Sequence, residues 1–338
     1  MGQITNYLEK KVLDHCLKTT SYNPPGPLYL ALFSATPGPT GGGTEVGYTS
    51  YARQPIYFGI ISSGRVISQN AQVNFPQCGV TGDTAAYWGI MDALTGGNLL
   101  AYGALAASKV IVQGNTPTVA SGQVTISINS GAMFTSFVQT VLNWLFAGSW
   151  SIAYTGGTGS QPSPGTTVTG HTSGATATLL SVGGTWGSSG TLYLAGKSGS
   201  FVNGETLYIP TSGVSCTNAQ GTPYDAVSTL PQPTNVNVGL STTTPTDAGG
   251  NITEPGNGYS REAFNTWHGA TVTGSAEIAE NSGTITMPTP SGTWGTITYS
   301  FLALDTVLAF YGALGTPQTP GSGDTVEWLD SQYTVQIQ

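Results

Sequence analysis

The sequence predicts a mainly β protein: two duplicated antiparallel β-sandwich units of jelly-roll type, each preceded by a helix, with a small β-domain inserted in the second. Three observations carry this prediction. Turn-forming residues separate short apolar runs about every 8–14 residues, which suits a sandwich and leaves few segments long enough for helices. Gly (48) and Pro (20) are abundant, yet Tyr (16), Phe (10) and Trp (7) supply a core, so the low charged fraction of 7% does not signal disorder. Landmarks of the first part recur in the same order in the last part, at an offset of about 208–212 residues.

Residues 3–18 read as an amphipathic helix. Ile4, Leu8, Val12 or Leu13, and Cys16 or Leu17 recur at helical spacing, while Glu9, Lys10, Lys11 and Asp14 fall on the opposite face. Asn23-Pro24-Pro25-Gly26-Pro27 ends it. Strands are then expected at Tyr29 to Phe33, Tyr51 to Ile60, Arg65 to Ile67, Ala71 to Phe75, Ala85 to Met91, Leu99 to Leu105 and Val124 to Ile128, with a weaker one at Lys109 to Val112. Pro37 to Gly47 is expected to be a long loop. Residues 132–146 form a second, more apolar helix in which Val141-Leu142-Asn143 matches Val12-Leu13-Asp14.

The repeated unit is therefore a helix plus a sandwich. In the second copy about 80 residues separate the two parts, rich in Ser, Thr and Gly. Short strands are expected there at Ala175 to Leu180, Gly190 to Ala195 and Glu205 to Ile209, as a small barrel or half-sandwich. The expected organisation is 1–128, helix plus first sandwich; 129–147, second helix; 148–229, inserted β-domain; 230–338, second sandwich.

Charge and motifs narrow the function. Residues 1–128 carry a balance of +1 and residues 129–338 one of −9, with no cluster of Lys or Arg to meet phosphates, which argues against a nucleic-acid partner. Cys16, Cys78 and Cys216 lack metal or disulfide spacing and read as small buried hydrophobes. His15, His171 and His268 are scattered, so neither metal nor cofactor is expected. The amino terminus reads as a charged helix and not an apolar leader, and no run approaches the ~18 residues of a membrane span, so no membrane insertion is expected. No nucleophile elbow or phosphate loop is present, and an enzyme is not expected.

Two sets of residues stand out. Arg53 and Arg261 recur at matching positions, each two residues after a tyrosine, Tyr51 and Tyr259. Candidate acidic partners also recur, as Glu45/Glu254 and Asp92/Asp305. The favoured expectation is a structural frame in which a forked Arg–carboxylate pair ties the long loop to the sandwich; the rival is a ligand-binding arginine. Trp150, Trp186, Trp267 and Trp294 lie in polar surroundings, where they can stack on sugars or fill an interface or core.

Together these residues resemble a widespread family of bacteriophage virion proteins often labelled tail fibre or minor tail proteins. The resemblance rests on Tyr7-Leu8 to Val12-Leu13-Asp14-His15, Leu28-Tyr29-Leu30-Ala31-Leu32-Phe33 and Gly42-Gly43-Thr44-Glu45-Val46. Tyr51-Ala52-Arg53-Gln54, Phe75-Pro76, Trp88-Gly89-Ile90-Met91-Asp92-Ala93, Gly96-Gly97-Asn98-Leu99-Leu100 and Tyr102-Gly103 complete it. It covers residues 1–128 well and 230–338 more loosely, since the second copy lacks the Gly-Gly-Asn turn. It implies a virion part that assembles with other virion proteins in the host cytoplasm and is exposed on the particle. The expected role is a tail-associated fibre, fibre adaptor or baseplate piece acting through subunit interfaces, as a homo-oligomer with a trimer favoured. Capsid decoration and a receptor- or glycan-binding module, with a host-surface glycan as partner, are the alternatives.

Overall fold

Short apolar runs broken by turns pair most readily with their neighbours, and hairpins accordingly dominate the computed structural model. It describes residues 2–337, except 26, 27, 60, 62, 71, 129–132, 148, 149, 164, 199, 200, 210–212, 220–229, 274 and 275. The first unit runs β1 (Gly2–Ile4), α1 (Asn6–Cys16), β2 (Leu28–Ala35), β3 (Thr44–Glu45), β4 (Gln54–Ile56), β5 (Val66–Ser68), β6 (Val73–Asn74), β7 (Asp83–Met91), β8 (Leu99–Ile111), β9 (Thr118–Val119) and β10 (Thr125–Ser127). Its main sheet has the order β3-β2-β7-β8-β1-β10-β5, with β4 also on β2, while β6 pairs with β9 apart from it.

The first residues are a strand and not the start of a helix. β1 lies antiparallel to β8 (Gln3 opposite Tyr102) and parallel to β10 (Gly2 opposite Ile126), joining two half-sheets into one. Gly2 permits this close approach, because a Cβ there would come within 2.2 Å of the Trp88 ring. The helix starts only after Thr5, whose φ of −89° and ψ of 161° are still extended. Lys109 to Ile111 belong to β8, which is longer than the sequence predicts, and of the strand expected at Tyr51 to Ile60 the described residues form β4 and a single bridge at Phe58, Ile60 lying outside them.

The insertion is a closed barrel. β11 (Trp150–Thr158), β12 (Thr167–Gly170), β13 (Thr176–Thr185), β14 (Ser189–Ser198), β15 (Thr206–Ile209) and β16 (Val214–Asn218) follow the order β11-β14-β13-β12-β15-β16, and β16 returns to β11. Alternate side chains such as Ile152, Tyr154, Val168, Leu192, Leu194 and Leu207 fill a core of its own. Glu205 is buried beside Gly170 and fixes a turn. It accepts the N–H groups of Thr172 (3.1 Å), Ser173 (2.9 Å) and Val202 (2.6 Å) and the Ser173 hydroxyl (3.0 Å). Burial alone would raise its pKa; these donors outweigh it and hold the carboxylate below its ordinary value.

The second unit contains α2 (Thr135–Leu142), continued by a π-helical turn over Asn143–Ala147, then β17 (Val236–Ser241), β18 (Glu262–Ala263), β19 (Thr271–Thr273), β20 (Ala276–Glu280), β21 (Ile285–Thr286), β22 (Ile297–Leu304), β23 (Val307–Gln318), β24 (Glu327–Trp328) and β25 (Thr334–Ile337). Its sheets are β18-β17-β22-β23, β19-β20-β25 and β21-β24. Where β1 joins the first unit, the described residues here show one bridge, Met133 to Phe310, so the two larger sheets stay separate. Both units carry the same irregularity. Between the pairs Tyr87–Ala104 and Ala85–Lys109, β8 advances five residues while β7 moves two, and Tyr299–Ala313 and Ile297–Gln318 repeat it on β22 and β23.

The two helices cross over. α1 lies on β20 and β25 of the other unit. Its Asp14 accepts the Ala270 N–H (2.8 Å), Lys10 donates to the Ala270 carbonyl, and Glu9 accepts the Glu277 N–H (3.3 Å). Glu9 and Asp14 are therefore buried at 4% and 6% exposure, contrary to their placement on an outward face from helical periodicity. The second helix reciprocates. Asn143 both accepts from the Ile61 N–H and donates to its carbonyl, each at 2.9 Å, and Gln139 donates to the Gly64 carbonyl (3.0 Å). One hydrophobic core runs through both sandwiches and both helices.

Candidate functional site

Arginine needs a partner wherever its guanidinium leaves water, and both recurring arginines have one. Arg53 forks onto Glu45, Nε to Oε1 at 2.9 Å and Nη2 to Oε2 at 2.7 Å. Tyr51 donates its hydroxyl to the same carboxylate (2.7 Å) while accepting the Leu32 N–H of β2 (3.0 Å). Arg261 forks onto Glu254 at 2.9 and 2.9 Å, and Tyr259 bridges Glu254 (3.0 Å) to the Leu240 N–H of β17 (2.8 Å). Loop, tyrosine and sheet thus form one clamp in each unit. The Glu45 hydrogen bond raises the Arg53 pKa against the opposing effect of burial. Burial and the same carboxylate raise that of Tyr51. For Glu254, burial pushes upward, but the Arg261 and Tyr259 bonds prevail and lower it.

Asp92 and Asp305 do not bond to these arginines; each fastens a turn. Asp92 accepts from the Asn98 N–H (2.6 Å) and its Nδ2 (2.7 Å), closing the β7–β8 loop. Arg53 Nη1 then donates to two carbonyls of that loop, Ala93 (2.8 Å) and Gly96 (2.6 Å). The second unit lacks this loop, because Leu304 pairs directly with Val307 and Asp305 takes a positive φ of 52° in the tight turn. Asp305 instead accepts the N–H groups of Asn235 (2.8 Å) and Thr234 (3.1 Å), and the free face of Arg261 lies 4.9 Å above the Phe301 ring. Phe301 fits because its cross-strand partner is Gly239; in the first unit the same pair is Gly89 and Ala31.

Three of the four tryptophans are buried. Trp186, Trp267 and Trp294 are 7%, 7% and 3% exposed. Their indole N–H groups donate internally to the carbonyls of Thr158 (3.2 Å), Phe264 (3.1 Å) and Asn257 (3.2 Å). Each ring also packs on another aromatic, Tyr154, Tyr333 and Tyr259 respectively. Core packing claims them because a wide flat ring is the largest apolar body a small sandwich can bury. The Trp150 side chain lies outside the described residues.

A further recurring pair escaped the sequence reading. Gln69 and Asn281 each hold the turn before the last strand: their amides donate to Ala120 and Leu329 (2.8 Å each) and accept from Val124 (2.5 Å) and Tyr333 (2.7 Å). Their spacing of 212 equals the offset of the recurring landmarks, but the change of side-chain length hides the pair from a comparison by identity. His15 is also internal. Its Nδ1 accepts the Tyr22 N–H (3.1 Å), so Nε2 donates to the Leu230 carbonyl (2.7 Å), and burial lowers its pKa. The three cysteines are free and buried, and among the described residues no group of three or more His, Cys, Asp or Glu is placed to hold a metal ion.

Both clamps and both aspartates thus bond within the chain, onto loops and turns. A sequence model of a phage fibre family, the podophage GP4 fiber I protein gp80, matches residues 3–127 and 225–336. The chain belongs to this family. The matched segments span both sandwiches of the fibre protein and include both Tyr-x-Arg clamps, leaving the barrel strands outside. No curated protein matches the sequence. Membership makes the chain a structural protein of a phage tail fibre, hence a virion component that meets other virion proteins.

Proposed function

We propose that this fibre protein is a non-enzymatic building block of the tail fibre or of its attachment to the tail, working by burial of subunit interfaces as a homo-oligomer, with a trimer favoured. The observation that carries the reading is the inward use of its ionic groups: both Arg–Glu forks and Asp92 and Asp305 hold loops to sheets. Surfaces stiffened this way suit large interfaces, which in obligate assemblies bury more than ~2,000 Å². Three chains, each with two related units, present six similar places and so fit a sixfold tail. Gold labelling of a tagged copy on intact particles tests the location: label at the tail tip or fibres is expected, and label over the capsid would overturn the reading in favour of decoration. Native mass spectrometry of the purified chain tests assembly. Oligomers are expected, and a monomer at every concentration and ionic strength would overturn the interface mechanism.

A further inference from the structure

Each unit has a groove beside the outer edge of its longest strand, of ≈ 610 Å³ along β8 and ≈ 540 Å³ along β23. The registers Ala85–Lys109 and Ile297–Gln318 make the two places correspond. So do the bonds Gly114 N–H to Cys78 O and Gly323 N–H to Pro290 O. The two edges nevertheless carry different chemistry. In the first unit Val80, Val110 and Val112 are 80%, 68% and 52% exposed, beside Lys109. Their counterparts in the second unit are Gly292, Thr319 and Gly321, beside Gln318. There the groove has an apolar floor that includes Leu240, Leu314 and Trp328, and an acidic rim of Asp324 and Glu327. The Gly321 N–H fixes Asp324 Oδ2 at that rim (2.8 Å).

Lys109 marks which surface the acidic rim fits. Lys10, Arg53, Arg65 and Arg261 each face a carboxylate, Lys18 donates to the Thr234 carbonyl, and Lys11 lies over the Tyr7 ring. Among the described basic side chains Lys109 has no such partner, and it stands next to valines that gain from leaving water. The outer side of Ala104–Val110 also makes no backbone bond among the described residues, an edge of the kind proteins otherwise cover or charge.

We propose that a second copy of this chain fills the second-unit groove with its own Val110–Val112 edge, its Lys109 meeting Asp324 and Glu327. The contact is heterologous: each chain offers one edge and one groove, so it repeats head to tail, into a ring where the rotation between neighbours closes and into a filament where it does not. It rests on the assembly reading above and names the surface that reading requires. The opposite balances of the two parts, +1 and −9, favour the same pairing of unlike units.

The test is association of the full chain measured by sedimentation and native mass spectrometry. Lys109→Glu and, separately, Glu327→Lys are each expected to weaken association roughly tenfold, and the combined variant to restore it. Val110→Asp should weaken it further at every salt concentration. These side chains are exposed, so unchanged thermal unfolding checks that each variant folds. Oligomers that persist unaltered in Lys109→Glu and Val110→Asp would overturn this contact while leaving the assembly reading in place. A wild-type chain that is monomeric throughout would overturn both.

Discussion

At the residue scale, the two clamps allow a controlled comparison because the same fork sits in different surroundings. Arg53 is 10% exposed and also holds two loop carbonyls, whereas Arg261 is 35% exposed and leans on a ring. Removing a mostly buried, multiply bonded arginine leaves the Glu45 charge with only the Tyr51 hydroxyl and two carbonyls without a donor, so Arg53→Ala should cost about 3 kcal/mol in chemical denaturation. Arg261→Ala should cost about 1 kcal/mol, since solvent screens the orphaned Glu254. Glu9 gives a second prediction. Burial, with Glu277 nearby, raises its pKa from 4.5 to about 7 against the smaller pull of the Glu277 N–H; Lys10 and Asp14 are the other charged groups on this contact. The folded state therefore binds this proton more tightly than the unfolded one. The resulting stability is complete below pH 4.5 and is lost as pH rises to about 7. Glu9→Gln should flatten stability across that window relative to the wild type, measured by denaturant midpoints; parallel curves would refute the assignment.

At the scale of elements, legibility followed the range of the interactions. β7 and the strand at the end of each unit were readable because their apolar alternation is local. β1 was not, since three residues hold no periodicity and their partners lie at Tyr102 and Ile126. Glu9 and Asp14 looked like a solvated helix face for a related reason: the backbone groups that bury them, at Ala270 and Glu277, belong to the other unit. The recurring Tyr-x-Arg spacing and the missing Gly-Gly-Asn turn were visible, but not the turn that Asp305 serves, because its donors at Thr234 and Asn235 lie some 70 residues away. Barrel closure through β11 and β16 also lay beyond local pattern. β1 itself offers a test. Gly2→Val places atoms where the Trp88 ring already lies, so it should free the strand and raise hydrogen exchange at Tyr102 and Ile126 while leaving β17 and β22 protected.

For the whole molecule, the position of the barrel follows from where its ends meet. The His15 ring lies 4.8 Å from that of Trp144 and bonds Leu230, so described residues from either side of the barrel come together at His15. An insertion between neighbouring ends adds little closure entropy. Replacing residues 150–219 by a short Gly/Ser linker should therefore leave the rest of the chain folded, with thermal unfolding displaced by only a few degrees; loss of cooperative unfolding would show that the barrel's separate core supports the sandwiches.

The exchanged helices bear on how a fibre carries load when a particle is pulled by its host. Each helix is anchored at its start on its own unit, through Thr5 to Leu100 and Phe134 to Ala309, and each also bonds the other unit, through Asp14 to Ala270 and through Gln139 to Gly64 and Asn143 to Ile61. Drawing the two sandwiches apart cannot peel one contact after another. It loads both helices together, so tension is shared between two links instead of falling on one.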